Sequence, residues 1–137
     1  MGVGLRCSTP AQLPLQCAQA ALDTKADDLV ILDVAALTSI ADYLVICTGR
    51  SDRQVQAIAQ AIDEQLRQHG HRPRAIEGMS RGQWVLMDYA DVIVHIFYKP
   101  VREFYDLERL WEHAPRVQLP EPLRSQALEF SNKTAAL

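Results

Sequence analysis

The sequence predicts an α/β fold: a single domain in which a mixed sheet of about five strands is flanked by helices. Three observations carry this. Two nearly continuous apolar, β-rich runs, residues 29–34 and 43–48, read as buried strands. Behind the second, Val55, Ile58, Ala59, Ile62 and Leu66 recur at helical spacing. Further on, residues 84–89 and 92–98, both rich in aromatic and branched side chains, lie back to back around Ala90-Asp91. The order helix, strand, strand, helix, strand, strand, strand, helix does not alternate as a doubly wound sheet would.

In chain order, residues 1–8 read as a leader, 9–116 as the domain and 117–137 as a C-terminal tail. Thr9-Pro10 with Gln12 resembles a helix start, Thr capping and Pro at the first helical position. Pro14 would then fall beyond the first turn and meet a preceding carbonyl, so a start nearer Pro14 is the alternative. The helix runs to about Thr24 through Leu15, Ala18 and Leu22, and residues 25–28 form a polar connector. Residues 29–34 are expected to be a central strand, and residues 38–42 turn the chain into the next. Ser51 is a good N-cap for the long helix, Asp52 suits its positive end, and Gly70 stops it. A short strand, Ala75–Glu77, and the loop 78–82 lead into the hairpin. After Pro100, residues 101–114 read as one helix, with Phe104, Leu107, Leu110, Trp111 and Ala114 on its apolar face and Arg102 paired with Asp106. Pro115, Pro120 and Pro122 break regularity beyond it, with room for one weak helix.

A two-residue turn fixes the hairpin register by counting. Tyr89 then faces Val92, Met87 faces Val94 and Val85 faces Ile96, a uniformly apolar face suited to the core. The opposite face pairs Asp88 with Ile93, Leu86 with His95 and Trp84 with Phe97. Aromatics mixed with Asp and His suit a half-open surface that something else covers. Ala-Asp is not a favoured primed-turn pair, so a loop one residue longer is the alternative.

The totals narrow the class. A chain of 137 residues can bury a real core, and 48% hydrophobic with 23% charged residues is the balance of a globular protein. The longest apolar run, Val92–Tyr98, contains His95 and is too short to span a bilayer. The opening residues MGVGLRCSTP lack the apolar centre of a secretory signal. Cys7, Cys17 and Cys47 are odd in number and show no CxxC spacing, which suits reduced thiols and a cytoplasmic location. The net charge of −3 argues against holding RNA by phosphate contacts and suits docking onto a basic protein.

Chemistry-bearing patterns are sparse. Thr48-Gly49-Arg50-Ser51 follows a strand and opens a helix, a geometry that binds phosphate through free amides. It is similar to the Gly-Ser turn of nucleotidyltransferases, which need clustered carboxylates for divalent metal. Here Asp63 and Glu64 fall inside the long helix and point apart, while Asp88 and Asp91 straddle a turn. Helix capping is the simpler reading; a nucleotide- or phosphate-binding enzyme is the alternative. His69 and His71 sit in a polar loop without a ligand pattern, so neither metal nor cofactor is expected. His95 interrupts an aliphatic strand, satisfied by a carboxylate such as Asp88 or reserved for a partner.

Two segments carry a family resemblance: LDVAALTSIADYLVICTGRSDRQVQAIA and EGMSRGQWVLMDYADVIVHIFYKPVREFYDLERLW. With the blocks ADYLVICTG, DYADVIVH and FYDLERLW in that order, the chain resembles the ribosomal silencing factor family, also called Iojap-like, over roughly residues 15–114. The leader and residues 117–137 lie outside the resemblance. It implies a nucleotidyltransferase-like fold without the metal-binding carboxylates, which agrees with the gap just noted. It implies a translation repressor, not an enzyme, that binds the large ribosomal subunit through ribosomal protein L-fourteen and blocks joining of the small subunit. The residues supply a physical version: aromatic anchors inside a charged rim. Trp84, Leu86, Asp88, Asp91, His95, Phe97, Lys99, Arg102, Tyr105, Asp106 and Glu108 are expected to form that partner-binding surface. The same patch invites self-association as a homodimer.

Overall fold

The computed structural model describes residues 12–128, and its sheet is built outward from one parallel pair. The strands are β1 (Asp27–Asp33), β2 (Tyr43–Gly49), β3 (Ala75–Glu77), β4 (Trp84–Asp88) and β5 (Val92–Tyr98), ordered β1-β2-β5-β4-β3. β2 and β5 run parallel, from Tyr43 beside Val92 to Gly49 beside Tyr98, and the other neighbours are antiparallel. Helices α1 (Gln12–Asp23) and α2 (Asp52–Gln68) cover one face, while α3 (Lys99–Tyr105) and α4 (Leu107–Leu110) lie against the other. This is the mixed five-stranded α/β sheet that the sequence predicts.

Local chemistry explains most of these elements. The Ser51 hydroxyl accepts the Gln54 N–H at 3.1 Å and opens α2, whose five stripe residues are all buried. The helix closes where Gly70 (φ 85°) and His71 donate their N–H groups to the carbonyls of Arg67 and Leu66. α1 meets α2 through Cys17, Ala18, Ala20 and Ala21, small side chains that let the two backbones approach. Pro14 falls in its first turn, where the missing N–H has no partner to lose. The hairpin register matches the counted one, with Trp84 opposite Phe97 and Asp88 opposite Ile93. Its loop is the two-residue one: the Tyr89 N–H donates to the Val92 carbonyl at 2.9 Å, and Ala90 takes a positive φ of 73° to close the turn. Gly78 (φ 83°) swings the chain out of β3, and a Cβ there would run into the Trp84 carbonyl.

Three expectations need correction. β1 is an edge strand, not a central one. Its apolar run reflects cover on both faces, Ile31 in the core under the long helices and Leu32 in the cluster under α3 and α4. The segment after α4 seals that edge: the Asp33 N–H donates to the Pro115 carbonyl and the Val117 N–H to the Ile31 carbonyl, both at 2.8 Å. Beyond it Leu123 is buried, Val117, Leu119 and Ala127 pack on the core, and residues 123–128 are helical. The chain past residue 116 is therefore part of the packed unit as far as it is described, and the expected leader, 1–8, lies outside the described residues.

The second correction concerns the last helix. It is two short helices, broken at Asp106, which takes the left-handed conformation (φ 47°, ψ 51°). Leu107, Trp111 and Ala114 pack against the sheet, but Phe104 and Leu110 are 80% and 77% exposed. The expected apolar stripe is split by the break. The third correction is Phe97, which is fully buried beside Leu32, Leu44 and Ile46 and so belongs to the core, not to an open surface. Phe97→Ala is expected to lower the unfolding free energy by about 3–5 kcal/mol, as loss of a buried phenyl ring does. Urea denaturation followed by circular dichroism checks this.

Candidate partner-binding surface

The aromatic face of the sheet is half covered. α3, α4 and Trp111 roof its β1, β2 and β5 side, burying Leu32, Leu44, Ile46, Thr48, His95 and Phe97. Trp84, Leu86, Asp88 and Ile93 remain partly open, and β3 adds Glu77 at the free edge. The Trp84 ring stacks on Phe97 with centroids 4.9 Å apart and meets Tyr105 of α3 at the same distance. Tyr105 is 54% exposed and touches Phe104 edge-on at 5.0 Å. The rings thus form a gradient from the buried Phe97 through the half-buried Trp84 to the exposed Tyr105 and Phe104.

His95 is satisfied by Trp84, not by Asp88. The indole Nε1–H donates to His95 Nδ1 at 3.0 Å, which requires a neutral ring protonated on Nε2. The bond fixes the indole in one orientation on the open strip. His95 is 7% exposed, and burial pushes its pKa down to about 4. It is a support beneath the surface, not a contact on it. Asp88 is held elsewhere: it accepts the Ala90 N–H at 2.8 Å and two N–H bonds from Arg74, which keep its carboxyl below the usual range.

Arg102 and Glu108, expected on the solvent-facing rim, turn inward. Arg102 is 11% exposed in its side chain, and its Nε and Nη2 donate to the two Glu108 carboxylate oxygens at 3.0 Å each. Its Nη1 donates to Thr48 Oγ1 at 2.6 Å and to the Asp28 carbonyl at 2.7 Å. That fork holds the Glu108 carboxyl below its ordinary pKa. The expected Arg102–Asp106 side-chain pair is replaced by this one, because Asp106 has left the helix. Asp106 and Lys99 remain exposed beside the elbow. Asp91 is exposed too, but at the far end of β5 from Lys99, a strand whose own length is about 20 Å.

The structure brings Trp84 and Leu86 to one face and sets Tyr105 against Trp84, while Asp106 lines a hollow beside β1 with Asp28, Lys99, Glu103 and Arg116. It adds Phe104, edge-on to Tyr105, and leaves Leu110 exposed, although helical periodicity had assigned both to the core. At the Thr48–Ser51 turn three amides are already used: the Arg50 N–H donates to Gln54 Oε1, the Gln54 N–H to Ser51 and the Arg53 N–H to Asp52. Among the described residues no cluster of three His, Cys, Asp or Glu could hold a metal ion.

The buried, neutral His95 has a consequence for acid stability. Its folded pKa lies below that of an unfolded histidine, so folding is favoured fully above pH 6.5 and loses that contribution as pH falls toward 4. The loss is expected to be on the order of 3 kcal/mol, and His95→Gln, which offers an acceptor without titrating, should flatten that part of the pH–stability profile. Denaturant titrations between pH 7 and 4 measure it.

The comparisons agree with this architecture. The family profile described as "Ribosomal silencing factor during starvation" matches residues 8–136, a longer span than the resemblance read from the sequence. The ribosomal silencing factor of Bacillus subtilis is 45% identical over 106 residues, covering 77% of this chain and 90% of its own. The chloroplast protein Iojap of Arabidopsis thaliana is 31% identical over 112 residues, 82% of this chain and 47% of that one. Among solved structures, a Chromobacterium violaceum protein superposes with a TM-score of 0.73 at 34% identity, covering 81% of this chain and 95% of that one. A Bacillus halodurans protein gives 0.68 at 39% identity, with 79% and 99% covered. Described residues include no helix long and apolar enough to cross a membrane. The chain belongs to the ribosomal silencing factor family.

Proposed function

We propose that this chain represses translation by seating on the large ribosomal subunit, through ribosomal protein L-fourteen, and keeping the small subunit from joining. Family membership is the observation that carries the reading. The surface chemistry supports it. Trp84 is a half-buried anchor held in one orientation, Leu86, Tyr105 and Phe104 extend its apolar area, and no ion pair among the described residues engages Glu77 opposite Leu86. Aromatic anchors beside an uncommitted carboxylate suit a basic protein partner. The mechanism is occlusion: a folded body occupies the place where the second subunit must land, and no bond is made or broken.

Preincubating purified large subunits with the protein and then adding small subunits tests this directly. Joined ribosomes should fall with increasing protein on a sucrose gradient; joining that proceeds unchanged at saturating protein would end the proposal. Trp84→Ala is expected to weaken large-subunit binding by about 2 kcal/mol or more, as central aromatic anchors do. Co-sedimentation with the fold verified by circular dichroism measures it.

The same apolar patch supports a two-fold dimer that competes with docking. Analytical ultracentrifugation at tens of micromolar, on the order of concentrations that populate weak dimers, should show a dimer that Phe104→Asp converts to monomer.

A further inference from the structure

The break at Asp106 is where the backbone departs from the chain's own periodicity. Run as one helix, residues 101–114 would carry Phe104, Leu107, Leu110, Trp111 and Ala114 on a single stripe. Instead Asp106 sits at φ 47°, ψ 51°, a left-handed setting that costs a residue with a Cβ about 1 kcal/mol, and no glycine stands there to relieve it. The stripe divides, with Leu107 and Trp111 against the sheet and Phe104 and Leu110 in solvent. Something must hold the bend against the straight alternative.

The side chain placed to do so is Arg102. Its fork closes across the break, from four residues before Asp106 to Glu108 two residues after it, at 3.0 Å on both oxygens. Its remaining nitrogen fastens the bend to the sheet: the Asp28 carbonyl belongs to β1 and Thr48 Oγ1 to the buried end of β2. Asp28 itself takes a positive φ of 48° at an irregularity in β1, and from that position its carbonyl receives the guanidinium. A planar guanidinium can serve a carboxylate side-on and two further acceptors at once; a lysine ammonium presents one point charge.

We propose that Arg102 is a positioning residue for ribosome docking: it holds the α3–α4 elbow in the bent form that displays Phe104 and Tyr105 beside Trp84. This rests on the docking reading given above. In the bent elbow Phe104, Tyr105 and Trp84 form one connected strip of rings, so the fraction of molecules in that form scales the apparent affinity.

The test compares wild type, Trp84→Ala, Arg102→Met and Arg102→Lys in co-sedimentation with purified large subunits. Hydrogen exchange is read in parallel at the amides of Asp106 and Arg109, which donate to the Arg102 and Asp106 carbonyls. Both Arg102 variants are expected to bind about tenfold or more weakly, with faster exchange at those amides and unchanged exchange in β2 and β5. Adding Asp106→Gly to Arg102→Lys removes the left-handed penalty and should recover about threefold or more of the binding, which a merely structural arginine would not give. Should Arg102→Met fail to fold, Glu108→Gln keeps the side-chain shape, removes the charged fork and carries the same expectation. A folded Arg102→Lys that binds within about twofold of wild type, or weaker binding with no change at the elbow amides, overturns the positioning role alone. Wild type that does not sediment with large subunits overturns the docking reading and this role with it.

Discussion

A five-stranded sheet has two faces, and this chain has long helices for only one of them. α1 and α2, 12 and 17 residues long, cover most of the first face, with Val117, Leu119 and Leu123 packed beside them. The second has α3 and α4, of 7 and 4 residues, with Trp111 and Ala114 behind them. That shortage of cover decides the rest. It buries β1, β2 and β5 and leaves β4 half open, so the boundary between core and surface runs through the aromatic cluster itself. Phe97 lies on the inner side of that line and Tyr105 on the outer, with Trp84 astride it. A ring in that position loses little freedom on binding, because stacking and a hydrogen bond to His95 already fix it.

Charge follows the same division. Several carboxylates that look available in the sequence are occupied: Glu108 by Arg102, Asp88 by Arg74, Asp27 by Arg50 and Asp63 by Arg67. The exposed ones among these pairs, such as Arg67–Asp63, add little stability. Their larger effect is to decide which charges stay uncommitted. Among the described residues, Glu77, Glu103, Asp106 and Glu112 are exposed groups without an ion pair, and so are Lys99 and Arg109.

What the sequence made legible was what local rules control. The hairpin register follows from a two-residue turn, and α2 follows from a cap, a stripe and a glycine stop. What it hid depends on residues far apart in the chain. A continuous apolar strand means cover on both faces, and a strand at the edge achieves that as well as a central one when another segment seals it, as residues 115–117 seal β1. The face shared by Trp84 and Phe97 was right, yet which of them is buried depends on a helix that follows both. Asp106 carries no glycine signal for its left-handed backbone; the bend is held by Arg102 reaching Thr48 and Asp28, 54 and 74 residues away. Reading Phe104 and Leu110 as core was the natural result of extending one period across a break that only tertiary contacts impose.

The Thr48–Ser51 turn shows how a motif with catalytic associations can be accounted for without a ligand. A phosphate there would need several unpaired amides at the start of α2. The side chains of Gln54, Asp52 and Ser51 take those of Arg50, Arg53 and Gln54, and Thr48 gives its hydroxyl to Arg102 as an acceptor. The glycine also has a packing reason: a Cβ on Gly49 would lie 2.8 Å from Val55 Cγ2 and 2.9 Å from the Val55 nitrogen, so the strand could not pass so closely over the helix start. Glycine is thus required by the close approach of β2 and α2, and serine by the cap. In this chain the turn ties the sheet to the α3–α4 elbow through the Thr48 hydroxyl, which accepts from Arg102.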